Sequence, residues 1–249
     1  MSISLIIPCY NEQSNIQKGV LDKIGNYTQN NPSFFEVIIV DDGSSDDSKK
    51  IIKTKYLKNF PKFRLIENNH QGKAFAVIAG IEKAKGEYAM FSDIDLATPI
   101  EEAEKLYKEI KNGYQVIIGS RNSTREGAPI LRKIMAKGLI VIRNLIIGLK
   151  GIKDTQCGFK LFEKTVAINT INKLKVFHDK REVKGSSVSA GFDLEFIFLA
   201  QRLGYKIKEV PVMWRHVETK NVNFINDSVE TLKDIIKIKY YYLTGKYEV

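Results

Sequence analysis

Two carboxylates, Asp93 and Asp95, stand one residue apart in MFSDIDLATP (90–99), directly after a short apolar run that reads as a strand. In an extended segment residues i and i+2 point to the same side. Two oxygen donors on one side suit Mg²⁺ or Mn²⁺, with waters and a substrate diphosphate completing the shell. An isolated D-x-D is more often an Asx-turn or a helix start before a proline such as Pro99. Its neighbours reverse that preference here. PCYNE, with Glu12, follows an earlier apolar run, and DDGSSDD, opening on Asp41 and Asp42, follows another.

The elements that must hold these acids alternate. Strands are expected over 2–8, 35–42, 63–68, 87–92 and 114–120, with helices over 14–28, 44–58, 73–85 and 99–113 between them. Ser44 or Ser45 would cap the second helix, and Gly86 would stop the third. Continuous Val/Ile runs between amphipathic helices indicate strands buried on both faces, hence a parallel sheet in an α/β fold. Further on lie a strand at 159–162, a helix near 192–203, a strand at 206–214 and a C-terminal helix from about 227. In that last helix Asp227 and Glu230 have capping-box spacing. Open parallel sheets bind ligands beyond the carboxyl ends of their strands. The acids therefore gather where a ligand would sit. Neither G-x-G-x-x-G after the first strand nor G-x-x-x-x-G-K-[ST] occurs, which argues against nicotinamide and ATP sites of those types.

Composition narrows the class. The chain has 249 residues, 43% hydrophobic and 27% charged, as expected of a soluble globular domain. Only Cys9 and Cys157 are present, too few for a disulfide framework or a zinc cluster and suited to a reducing compartment. The first residues do not read as a signal peptide, and no apolar run approaches the roughly 18–20 residues of a membrane span. The net charge of +10 fits a lysine-rich solvated surface or an anionic partner. Nucleic acid is not favoured, because aromatic–basic interleaving and a reading motif are both lacking.

The ordered set LIIPCYNE, VIIVDDGSSDDS, HQGKAFAVIAG and GEYAMFSDIDLAT resembles the nucleotide-sugar half of the inverting family 2 glycosyltransferases. KGIKDTQCGFKLF (150–162), FDLEF (192–196) and YYLTGKY narrow the resemblance to the dolichyl-phosphate glucosyltransferase branch, with the dolichyl-phosphate mannose synthases as cousins. It implies one domain over 1–249 with the A-type glycosyltransferase fold, a Rossmann-like, mostly parallel sheet flanked by helices. Residues 1–120 would form the nucleotide-sugar half and 121–249 the acceptor half. It also implies roles. Pro8, Tyr10 and Glu12 would line the nucleotide pocket, and Asp42 would bond the uracil edge while Asp41 orients the loop. Gly72 and Lys73 would approach the nucleotide, Asp93 the ribose and metal, and Asp95 the Mg²⁺ or Mn²⁺ directly. Lys220 would bind the diphosphate, with Arg215 a second candidate. Arg121, Arg132 and Lys133 would hold an acceptor phosphate, a task that suits arginine through bidentate bonding. Asp193 and Glu195 form an acidic third motif. Asp193 would be the base for a hydroxyl acceptor. With a phosphate acceptor the two acids would bind sugar hydroxyls or orient a cation. The local alternative is a helix cap at Asp193 and a lysine pair at Glu195.

The acceptor decides whether a base is needed. A lipid monophosphate is already anionic near pH 7, whereas a sugar hydroxyl must lose a proton. ILRKIMAKGLIVIRNLIIGLK (130–150) has five basic residues and no acidic one. At about 100° per residue, Arg132, Arg143 and Lys150 nearly superpose, and Lys133 and Lys137 widen the arc to about 140°. That pattern fits a helix at a membrane interface with its basic side toward headgroups, or a core helix with a solvated face, or two short helices broken at Gly138. The expected activity is metal-dependent transfer of a hexose, glucose from UDP-glucose first, to a polyprenyl or dolichyl phosphate at the cytosolic membrane face. The alternatives are a saccharide hydroxyl acceptor, a GDP-mannose donor, and nucleotide-sugar binding without turnover.

Overall fold

The computed structural model describes residues 1–121, 130–149, 151–177, 190–215 and 224–249, without the side chains of 130–137, 139, 190 and 224–228. In chain order the elements are β1 (Ile3–Cys9), α1 (Gln13–Gln17), α2 (Val20–Gln29), β2 (Phe34–Asp41), α3 (Ser48–Ile51) and, after a π-helical turn (Ile52–Tyr56), α4 (Leu57–Asn59). Then come β3 (Phe63–Glu67), α5 (Lys73–Lys83), β4 (Tyr88–Ser92), α6 (Ala103–Lys108), β5 (Val116–Arg121), α7 (Ile130–Ile147), β6 (Phe159–Glu163), α8 (Lys164–Lys173), α9 (Ala190–Arg202), β7 (Ile207–Val212) and α10 (Phe224–Leu243).

The seven strands form one sheet in the order β3-β2-β1-β4-β6-β5-β7. Only β6 runs antiparallel, inserted between β4 and β5. Alternate residues of the buried strands supply two cores. Ile6, Ile38, Val40 and Phe91 pack toward α5, α8 and α9. Leu5, Ile7, Val37 and Met90 pack toward α1, α2 and α6. Burial on both faces explains why the strands read as apolar runs rather than as alternations. The chain winds outward from β1 to β2 and β3, then crosses back to β4 on the other side of β1, which puts a topological switch between β1 and β4. β1 stays paired with β2 through Cys9 but with β4 only through Ile6, so the two central strands part toward their carboxyl ends.

Several local expectations change. The helix expected over 14–28 is two, divided at Gly19, whose φ of +80° breaks the helical path. The helix expected from Ser44 begins at Ser48, because the side chains of Asn11 and Asp41 draw Ser44 and Ser45 into the preceding turn. The C-terminal helix starts at Phe224, placing Asp227 inside it rather than at its cap. α8 was not foreseen; its short apolar stripe follows β6 without a turn signal.

The largest correction concerns α7. It is one helix through Gly138, and its basic arc does not all face outward. Arg143 is 5% exposed and points into the protein, where it donates to Ile152 O at 2.9 Å and Thr155 Oγ1 at 3.1 Å. Burial pushes its pKa down. Exposed instead are Val141, Ile142 and Leu145, the last at 81%. The carbonyls after α7 need donors, and a guanidinium can serve several at once.

Candidate active site

Three strand-end loops meet at the switch point. The loop after β1 and the loop after β2 are laced by side chains. Asn11, at φ 54°, accepts from Ser45 N at 2.8 Å, while its own N–H donates to Ser44 Oγ at 3.0 Å. Glu12 N donates to Ser48 Oγ at 2.9 Å, and Gln13 N to Asp46 Oδ2 at 3.0 Å. The serine- and aspartate-rich stretch thus supplies acceptors for a turn that leaves β1 without a backbone ladder.

The two adjacent aspartates have different surroundings. Asp42 is buried and accepts from Gln71 N at 3.0 Å, from Gly72 N at 2.8 Å and lies 2.8 Å from His70 Nδ1. Its carboxylate therefore fixes the loop before α5. Asp41 accepts from Ser44 N through Oδ2, and its buried Oδ1 has no hydrogen-bond partner among the described residues. Both aspartates thus order the strand-end loops, and the buried Asp41 Oδ1 is the carboxylate oxygen left without a bond. His70, which the sequence did not single out, stacks on Tyr10 with ring centroids 3.9 Å apart and planes 9° off parallel. Pro8 is buried near the carboxyl end of β1.

Asp93 and Asp95 do end β4 at this crevice. Asp93 N donates to Gly158 O at 3.1 Å, and Asp95 Oδ1 accepts from Ala97 N at 3.0 Å. Gly158 lies so close that a Cβ there would fall inside the Asp93 carboxylate. Lys73, in the first turn of α5, ion-pairs with Asp93. Burial opposes the Lys73 ammonium, but Asp93, Asp193 and Asp95 outweigh it and raise its pKa. Burial, helped by Asp93, pushes the Asp95 carboxyl up. Glu12 is likewise raised by burial, with Asp95 and Asp93 adding to it. These three acids therefore feel one another, and a cation would relieve them. Among the described residues no group of three or more His, Cys, Asp or Glu is placed to hold a metal. Two carboxylates with open positions fit Mg²⁺ or Mn²⁺, which keep waters and substrate oxygens in their shell.

On the far side of β4, Lys160 of β6 bonds Asp193 Oδ1 at 2.8 Å. Arg121, at the end of β5, is held by Asp154 and lies 5.9 Å from the Trp214 ring centroid. Arg215 N donates to Ala97 O at 2.8 Å, tying the end of β7 to the Asp95 loop. Glu195 is not at the site. It is fully buried and accepts from Lys175, Val176 and Phe177 N and from Tyr247 Oη at 2.7–3.1 Å. Lys220 lies outside the described residues, as do the side chains of Arg132 and Lys133. Both cysteines are buried free thiols; burial pushes Cys157 up to about 12, which removes it as a nucleophile. Lys160, Asp154, Gly158 and His70 carried no chemical signal in sequence, since each acts through a partner distant in the chain.

Residues 4–169 match the model of Glycosyl transferase family 2. Over 99% of its length the chain is 34% identical to a dolichyl-phosphate beta-glucosyltransferase of Trichomonas vaginalis, covering 76% of that protein. Identity to the Saccharomyces cerevisiae enzyme of the same name is 31% over 98% of this chain and 76% of that one, and to the human enzyme 30% over 99% and 78%. A glucosyl-3-phosphoglycerate synthase of Mycobacterium tuberculosis, solved with Mn²⁺, UDP-glucose and phosphoglyceric acid, superposes with a TM-score of 0.68 at 18% identity, covering 96% of this chain and 80% of that one. It shares the fold. This chain belongs to glycosyl transferase family 2 and is a glycosyltransferase.

Proposed function

We propose that the chain transfers glucose from UDP-glucose to dolichyl phosphate or a related polyprenyl phosphate, with inversion at the anomeric carbon and with Mg²⁺ or Mn²⁺. The observation that carries this reading is similarity at 28–34% identity along nearly the whole chain to proteins named for that transfer, not confined to the donor half.

The site chemistry supports it. The donor base would enter at the carboxyl end of β1 beside Tyr10, where the buried and unpartnered Asp41 Oδ1 would accept from an imide N–H. Asp93 and Asp95 would hold the cation, and Lys73 would turn to the diphosphate. When bound, a divalent cation offsets negative charge as it develops on the departing diphosphate. An acceptor phosphate oxygen attacks the anomeric carbon as the bond to the diphosphate oxygen breaks. No proton need leave, so no base is required. Repulsion between acceptor and donor phosphates does need a cation. Arg121 would supply it: its bonds to Asp154 use Nε and Nη2 and leave Nη1 without a partner among the described residues.

Attachment to the cytosolic face of a membrane is part of the proposal. No helix among the described residues is long and apolar enough to cross a bilayer. Val141, Ile142 and Leu145 on α7, and Ile236, Tyr240 and Leu243 on α10, are large exposed apolar side chains on two helices packed together. Lys237 and Lys246 lie over the Tyr241 ring, an arrangement suited to headgroup depth. The test is incubation with UDP-glucose labelled in the sugar, Mn²⁺ and polyprenyl phosphate in vesicles. Label extracted into chloroform supports the reading. Label confined to the aqueous phase, in glucose or a soluble saccharide, overturns it.

A further inference from the structure

A lysine in the middle of a central strand is costly to bury, and an aliphatic residue would fill the same space without that cost. Lys160 is such a residue. It stands opposite Phe91 in the β4–β6 ladder, is 1% exposed, and lies between two strands of the sheet. Its ammonium donates to Cys157 O at 2.5 Å and to Asp193 Oδ1 at 2.8 Å, and lies 5.0 Å from the Phe91 ring centroid. Three contacts, from the turn before β6, from α9 and from β4, fix the position of Nζ.

Asp193 occupies the first turn of α9, with its side chain 12% exposed. Its Oδ1 is committed to Lys160, and Oδ2 has no partner among the described residues. Cys157 O, which Lys160 also holds, is one residue from Gly158 O, which accepts from Asp93 N at 3.1 Å, so Asp193 and Asp93 are tied to the same turn before β6. Lys73, paired with Asp93, and Lys160, paired with Asp193, both lie within 6 Å of the Phe91 ring centroid, at 5.9 and 5.0 Å.

We propose that Lys160 is a positioning residue: it holds the Asp193 side chain in one orientation, so that Oδ2 is a fixed acceptor for a hydroxyl of the donor sugar. The inference rests on reading this pocket as the place where the sugar is transferred, and it adds to that reading the residue through which Asp193 acts. A carboxylate free to rotate would meet the hydroxyl in only some of its rotamers, and misplacement by about 1 Å can cost on the order of a hundredfold in rate.

The experiment is a double-mutant cycle of Lys160→Met and Asp193→Asn, with Lys160→Arg as the charge-keeping control. UDP-glucose binding is measured by calorimetry without acceptor, and transfer is measured with polyprenyl phosphate. K160M is expected to lower kcat roughly a hundredfold while leaving the KM for polyprenyl phosphate within about twofold. In the D193N background K160M should add less than about twofold, because its effect passes through Asp193. K160R should retain more activity than K160M. Independent, multiplicative losses, or a rise in acceptor KM as large as the fall in kcat, would overturn the inference. If K160M does not fold by its thermal melt, Lys160→Gln takes its place in the cycle. The calorimetric arm separates the two claims. Coupling in UDP-glucose binding without lipid transfer sinks the proposed function and leaves the role of Lys160 standing. Transfer without coupling does the reverse, and wild type that binds no UDP-glucose overturns both.

Discussion

Arg121 and Asp154 face each other side-on: Nε donates to Oδ2 at 2.7 Å and Nη2 to Oδ1 at 2.8 Å. The main-chain N–H of Arg121 adds a third bond to Oδ2 at 3.0 Å. Asp154 is itself fixed, since its N–H donates to Glu209 Oε1 at 2.7 Å and Arg143 holds the carbonyl of Ile152 nearby. The guanidinium at the end of β5 is therefore set from α7, from β7 and from the loop between α7 and β6.

Removing one member of this buried pair leaves the other uncompensated. Asp154→Ala and Arg121→Ala are each expected to cost about 3–5 kcal/mol in a urea titration, because either leaves a buried charge unpaired. Arg121→Ala should also raise the KM for polyprenyl phosphate by roughly tenfold or more while changing UDP-glucose binding little. Equal losses for donor and acceptor would remove Arg121 from the acceptor site.

The pair also sets a pH dependence. Burial works against the Asp154 carboxylate, but the Arg121 bonds outweigh it and hold its pKa below the ordinary 3.8. A depressed carboxyl contributes stability above its unfolded pKa and loses it as pH falls through the folded one. Its contribution should be constant from neutral pH to about 5 and fall away below about 4. In D154A that part of the acid limb should be absent from melts taken across this range.

Asp95 should behave in the opposite sense. Its pKa is raised by burial and by Asp93, so ionisation costs stability as pH rises past the ordinary 3.8. Asp95→Asn is expected to keep or slightly raise the melting temperature at pH 7 without metal, and to abolish transfer. The upward shift in melting that Mn²⁺ with UDP gives the wild type should vanish in the variant and in wild type treated with EDTA. A persistent shift would place the cation elsewhere.

Gly158→Ala tests the close approach at Asp93. The added methyl would meet both Asp93 carboxylate oxygens, so the acid must turn away. The expected result is weaker Mn²⁺–UDP binding and a loss of transfer on the order of a hundredfold, with a melt close to wild type.

Leu145 tests the membrane face. Leu145→Glu places a charge at an exposed position, so the melt should not change, and pelleting with vesicles of anionic lipid should fall. Unchanged pelleting would assign another function to the apolar side of α7.

The sequence by itself determined the alternating α/β order, the buried parallel strands and the acids at their carboxyl ends. Those features are local: runs of Val and Ile, helical periodicity, and carboxylates such as Asp93, Asp95 and Glu12 one to three residues past a strand. Tertiary structure decided what each charge faces. Asp41 and Asp42 are neighbours of the same type, yet only Asp42 is met by the Gln71 and Gly72 N–H groups. Arg143 sits on a basic arc, but the unpaired carbonyls of the loop after α7 turn it inward. Glu195 matches an acidic motif and yet closes the C-terminal tail through Tyr247, 52 residues away. Periodicity records which side of an element is apolar, whereas the partner of a buried charge is chosen by whichever unsatisfied donor or acceptor the fold brings to it.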